Sequence, residues 1–273
     1  MARGRNVRYI SPDGEVWPLH GENMGTKGVY LTSLAGFYHP VRVPISLTPA
    51  YKRGAIPGPP KTDVSRIMMK IFTTADSPAE WERVESRWWN AWSDEVDGRI
   101  EVESLSDGSY RWQPVRLEKY PDEPFDYEPE EDMDWTLPIL AYDPGWRGPL
   151  ITSTSTGTGA KTIKVANHGD IEGWPHFVGD PVDGIQLPDG LSGRMIPLGD
   201  MDPEEGEWLV ITDQLEVPIE NMADTQIAAR LAGLLFRSPL PAGTKVQTVP
   251  INHGPTTNTI RFYLEPLYKR PWG

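Results

Sequence analysis

Residues able to do chemistry are few and scattered in this 273-residue chain. The five histidines are His20, His39, His168, His176 and His253. None falls in an HExxH pattern or another compact ligand spacing, so the sequence makes no case for zinc. His168, Asp170 and His176 could meet around a metal only if their loop folded back on itself. His168 and His253 both stand in Asn-His-Gly turns, where the ordinary expectation is a solvent-exposed turn residue. Cysteine is absent, which removes thiol catalysis, thiolate metal sites and disulfides. There is no G-x-S-x-G elbow, P-loop or Rossmann glycine pattern, and Thr156-Gly157-Thr158-Gly159 is too short and isolated to act as one. Among 39 acidic residues, no pair suited to glycoside hydrolysis stands out from the solvated background. The dense run from Asp122 to Asp134 lacks the spacing and central glycine of an EF-hand loop, and it reads as a solvated loop. The expectation is therefore a protein that is not an enzyme, with no catalytic residue, no metal ligand and no cofactor.

Non-covalent chemistry is better represented. Tryptophan occurs 11 times, and its large apolar face plus one N–H suits cores and interfaces alike. Trp174 and Trp208 would supply stacking faces for a cell-envelope polysaccharide if their rings are exposed, and would exclude that role if buried. This carbohydrate-binding module is the alternative reading.

The elements that must position these residues are mostly strands. Tyr9-Ile10, the turn Ser11-Pro12-Asp13-Gly14 and Val16-Trp17-Pro18-Leu19 form the first of them. Val41 to Leu47 alternates, with Pro44 placing it at an edge, and Tyr51 to Pro60 is a Gly/Pro-rich exposed loop. Val64 to Thr74 is the next strand. One helix is expected over 78–92, with Ser77 at N-cap, Pro78 at N1 and Glu80 at N3 in the capping-box pattern. Trp81, Val84, Trp88 and Trp92 fall on its buried face, while Trp89 lies off that stripe and is the candidate for a subunit contact. Arg99–Leu105 and Ser109–Tyr120 make a hairpin across Asp107-Gly108, and Trp135–Tyr142 closes a first domain.

The segment Pro144–Pro149 reads as a boundary between domains 1–147 and 148–273, with Thr152–Gly159 as a flexible entry into the second. Asn167 to Leu187 then reads as strand, tight turn, Pro-broken edge strand around Pro175, turn and strand, the start of an antiparallel sandwich. Gly206–Thr212 and Leu215–Ile219 are further strands. Asp224–Leu235 has helical spacing, and Thr259–Leu267 is a half-buried strand.

Composition agrees with this turn-rich design. Pro at 28 and Gly at 26 suit many short strands, and a net charge of −13 argues against nucleic acid as a partner. No apolar run approaches the roughly 18 residues of a membrane span, and Arg3, Arg5 and Arg8 precede no apolar signal core. The absence of cysteine suits a protein made in a reducing cytoplasm.

The second half resembles the distal tail proteins of long-tailed bacteriophages, most of all those named minor tail proteins in phages of actinobacteria. The likeness rests on Asn167-His168-Gly169-Asp170 with Pro175 and Gly179, on Glu207–Asp213, on Pro241-Ala242-Gly243, and on Tyr268–Gly273. Gly21, Gly25 and Val41-Arg42-Val43 carry a looser likeness in the first half. The resemblance implies a mainly β protein, with an N-terminal split-barrel-like domain bearing one helix and a C-terminal galectin-like antiparallel β-sandwich. It further implies a homohexameric ring at the virion tail tip, assembled in the host cytoplasm. The ring would lie between the tail tube protein and the baseplate hub or tail-associated protein, with the tape measure protein and receptor-binding proteins as further neighbours. Val41 and Val43, with Trp89, are then the expected subunit contacts.

Overall fold

Alternation sets the longest strand pair. In Ser65–Thr74 every second residue (Ser65, Ile67, Met69, Ile71, Thr73) turns inward, and Asp132–Ala141 does the same with Trp135, Leu137, Ile139 and Ala141. The two pair antiparallel along their whole length, from Ser65 opposite Ala141 to Thr74 opposite Asp132. A one-residue slip would turn both apolar rows to solvent, so this register is strongly specified. The computed structural model describes residues 4–48, 51, 53–58, 60–121, 131–202, 204, 206–213, 219–221, 231 and 233–273. Two compact units emerge: Met1–Arg147 together with Lys269–Gly273, and Gly148–Tyr268.

The first unit contains β1 (Arg5–Ile10), β2 (Val16–His20), β3 (Val29–Ala35), the two-residue strands β4 (Arg42–Val43), β5 (Ser46–Leu47), β6 (Ile56–Pro57) and β7 (Lys61–Thr62), then β8 (Ser65–Thr74), α1 (Pro78–Asn90), β9 (Gly98–Ser104), β10 (Tyr110–Leu117), β11 (Asp132–Ala141) and β12 (Trp146–Arg147). Its main sheet runs β2-β1-β9-β10-β11-β8-β3, with β12 on β10. The end strands β2 and β3 come into contact, so the sheet curls back on itself. β4 pairs with β7 and β5 with β6, and these two short ladders form an arm apart from the main sheet.

Helix α1 is held on this sheet by aromatics. Trp81 and Trp135 both donate their indole N–H to the Thr73 hydroxyl, at 3.1 and 3.2 Å, and that hydroxyl donates to the Met133 carbonyl at 3.2 Å. Tyr9 stacks on Trp92 with centroids 3.9 Å apart and donates its hydroxyl proton to the Ala91 carbonyl at 2.8 Å. Trp17 and Trp92 both meet Trp88 edge-to-face. The helix ends two residues short of the expected 92, since Ala91 is its C-cap. Ser77 is the N-cap, but its side chain makes no capping bond; its carbonyl accepts from Glu80 and Trp81 instead.

The second unit contains β13 (Ile151–Gly157), β14 (Ala160–Asn167), β15 (His176–Gly179), β16 (Ile185–Pro188), β17 (Met195–Pro197), β18 (Trp208–Ile211), β19 (Ile219–Asn221), β20 (Thr244–His253) and β21 (Asn258–Leu264). Its two antiparallel sheets run β13-β21-β15-β18-β19 and β14-β20-β16-β17. Inward residues of both, including Ile163, Phe177, Leu187, Trp208, Ile251 and Phe262, form one core, as in a β-sandwich.

Three expectations change. The Ser/Thr/Gly run at 152–159 is mostly strand β13 and not a flexible entry: Thr is β-branched and suits a pleated surface, and the run pairs residue by residue with β21. The segment after Pro175 is no edge strand, because β15 lies between β21 and β18; its ladder starts at His176, so the missing proline N–H costs nothing. Asp132 and Asp134, assigned to the acidic loop, belong to β11. Glu131 just precedes that strand, while residues 122–130 of the run lie outside the described residues, as do 215–218 and most of the expected helix at 224–235.

Candidate interaction surface

The arm carries several exposed apolar side chains on very short ladders. Gly36, at φ +82°, ends β3 in a conformation where a Cβ would run into the Arg66 carbonyl oxygen. The chain then leaves the sheet; Val41 N–H donates to the Ser65 hydroxyl (3.2 Å), and the backbone bonds from Asp63 N–H to the Val41 carbonyl (2.9 Å) and from Gly58 N–H to the Ile45 carbonyl (2.7 Å) hold the two limbs together. Along these limbs Leu47 is 71 % exposed, Ile56 50 % and Ile45 47 %, and Val41 and Val43 are exposed as well. Exposed apolar side chains carried on two-residue ladders offer a surface on which another molecule could pack.

Trp89 is half-buried. Its ring meets Trp135 edge-to-face at 5.1 Å and Tyr120 at 6.3 Å, and its N–H reaches Glu85 at 3.3 Å. Part of its area is therefore already used within the chain.

Trp208 does not serve as a glycan platform. It is 1 % exposed, its indole N–H is given to the Asp180 carbonyl at 2.8 Å, and a Cβ on Gly179 would strike its ring. Trp174 is half-buried and Gly173, beside it, bridges to Leu240. Sequence reasoning could not separate the two: an isolated Trp in a short strand carries no burial signal until its sheet is known.

The histidine turns also divide. His168 is exposed as expected, and the structural burden of its turn falls on buried Asn167, whose amide donates to the Ile171 and Leu240 carbonyls and accepts from Gly169 N–H. His253, expected in solvent, is 0 % exposed. Its Nε2 lies 2.8 Å from the Ser155 hydroxyl and its Nδ1 2.6 Å from Asn258 Oδ1. This Ser–His–Asn order has the connectivity of a nucleophilic triad, yet all three side chains are buried, so no substrate reaches the hydroxyl. Chemically it is a hydrogen-bonded lock between β13, β20 and β21.

A cleft of ≈ 660 Å³ in the first unit contains two carboxylates, Asp97 and Glu101. Glu101 is held by Arg99 at 2.8 Å and Arg8 at 3.5 Å and accepts from the Tyr110 hydroxyl at 2.5 Å; Asp97 is paired with Arg116. Carboxylates so occupied are poor candidates for a proton donor and a nucleophile. Tyr110 loses its proton less readily in return: burial first, and Glu101 beside it, push its pKa up to about 12. His168, Asp170 and His176 form no metal-type cluster among the described residues.

In comparison with known proteins, no family model matches this chain. No curated protein matches its sequence. Solved structures do match. The Dit protein (gp 19.1) of phage SPP1, described as a paradigm of the hub adsorption apparatus in phages infecting Gram-positive bacteria, aligns over 95 % of this chain and 98 % of its own with a TM-score of 0.59 at 16 % identity. A chain of the phage p2 baseplate in its activated conformation with strontium aligns over 97 % and 98 %, with a TM-score of 0.53 at 9 % identity. The corresponding calcium structure gives a TM-score of 0.50 at 10 % identity, over the same shares. At these identities the likeness is one of fold: mainly β, with one large sheet, one helix and a two-sheet sandwich, in the manner of Dit.

Proposed function

We propose, taking the Dit-like fold as the premise, that this chain is a structural component of a phage tail tip. In this reading it forms a homohexameric ring in the virion, joining the tail tube protein to the baseplate hub or tail-associated protein. The tape measure and receptor-binding proteins are further neighbours. Actinobacterial phages are the source that the short turn motifs of the second unit favour. The observation that carries the reading is the match to Dit over 95 % of the chain, which leaves neither unit unaccounted for.

The arm supports the ring part of the proposal. Val41 and Val43, with the uncovered part of Trp89, are the proposed subunit contacts, and Ile45, Leu47 and Ile56 extend that surface. Each aliphatic side chain taken from water contributes on the order of 1.5–3 kcal/mol when fully covered, so a few per interface suffice to hold repeated contacts. A heterologous contact whose rotation closes around an axis makes a ring and leaves no arm exposed. The net charge of −13 suits an assembly that does not retain nucleic acid. Labelling with an antibody against this chain, on particles of the virus that encodes it, tests the proposal. Label confined to the tail tip is expected; label along the tube, or its absence from purified particles, contradicts it.

A further inference from the structure

The root of the arm is gripped from two places in the sequence. Phe37 follows Gly36 at that root. Trp146, just before the chain passes into the second unit, donates its indole N–H to the Phe37 carbonyl at 3.1 Å and sets its ring edge-on to Phe37 at 6.2 Å. After the chain re-enters the first unit at Lys269, Trp272 places its ring 5.8 Å from Phe37 and 5.1 Å from Tyr38. The Arg5 guanidinium lies 3.5 Å from the Trp272 ring centroid, on its face. Buried Arg111, on β10, donates to the Arg270 carbonyl at 2.7 Å and also to the Gly273 carbonyl. Pro271, between them, is buried. A cavity of ≈ 600 Å³ runs along the same place, lined among others by Val7, Leu31, Leu34, Phe37 and Trp272.

We propose that residues 269–273 are a strap that fixes the root of the arm. These residues have no strand ladder of their own, and the Arg111 bonds and the Trp272 ring contacts help to hold them in place. In turn Trp272 packs against Phe37 and Tyr38, and Trp146 packs against Phe37 as well. The second unit is inserted between Arg147 and Lys269. Both points where the chain leaves and re-enters the first unit therefore meet the arm at one aromatic cluster. When the strap is released, Phe37 loses a ring neighbour, the cavity opens, and residues 37–43 gain freedom while the sheet beneath them stays paired.

Hydrogen exchange on the full-length protein tests this directly, because local release and global unfolding leave different patterns. In Trp272→Ala, amides of residues 37–43 and 269–273 are expected to exchange roughly tenfold faster than in the parent, with β20 and β21 unchanged. Trp272→Phe, which keeps an aromatic face on Phe37, is expected to restore most of the protection. Arg5→Gln removes only the stacked guanidinium and is expected to produce a smaller rise at the same amides. Unchanged exchange at 37–43 in Trp272→Ala and Arg5→Gln overturns the proposal. An equal rise throughout the first unit overturns it too, since the strap would then be ordinary core.

Discussion

His253 ties three strands together through two side chains, and the cost of losing it should be visible. Ser155, 98 residues away in sequence, and Asn258 would each lose a buried partner. His253→Ala is therefore expected to destabilise the second unit by about 3 kcal/mol, read as a lower urea midpoint for its unfolding. Trp174→Ala should leave polysaccharide binding unchanged, since Trp208 supplies no second face; loss of measurable glycan binding in that variant would revive the lectin reading. Tyr110 gives a pH signature. Its folded pKa, near 12, exceeds the ordinary value of about 10, so the folded state holds that proton more tightly. This contribution is complete below about pH 10 and is lost as the pH rises toward 12. Tyr110→Phe should flatten the fall of the urea midpoint across that window; buried Tyr9, whose pKa is also raised, leaves part of the slope in place. At this scale the sequence was least legible. Asn-His-Gly occurs twice with opposite outcomes, His168 exposed and His253 buried, because the deciding partner Ser155 is remote in the chain.

Elements were easier to read wherever periodicity was unbroken. β8 and β11 alternate cleanly, the β9–β10 hairpin turns at Asp107-Gly108, and the tryptophan stripe marks the helix. Turn and linker chemistry misled where it shared residues with strands. Thr-Ser repeats in β13 look like a linker until β21 pairs with them, and Pro175 looks like an edge marker although it only precedes a central strand. The capping box at Ser77 was likewise a correct position without its bond. Ser77→Ala should thus cost no more than a few tenths of a kcal/mol, against about 1 kcal/mol for a side chain that does cap. The arm reads in the sequence as an alternating edge strand over Val41–Leu47 followed by an exposed loop, and not as a two-limbed projection, since its ladders span two residues each. Ile45→Asp with Leu47→Asp should leave thermal unfolding unchanged, both residues being exposed already, and should abolish self-association measured by sedimentation.

The architecture of the whole molecule was legible as two β-rich parts with one helix in the first, and the Dit-like fold agrees with that reading along nearly the entire chain. What no local pattern revealed is that residues 269–273 return to the first unit, which depends on a buried Arg111 far away in sequence. An exposed apolar arm, on a Dit-like fold that the proposed tail-tip role takes as its premise, makes assembly the central claim. The most direct measurement is the solution mass of the purified protein across a concentration series, by light scattering, with negative-stain images of the same fractions. The account predicts a discrete species that is a multiple of the 30.6 kDa chain and appears as closed rings, and that disappears in the doubly substituted arm variant. A protein that stays monomeric throughout the series, or an assembly that survives loss of the arm's apolar side chains, would contradict it.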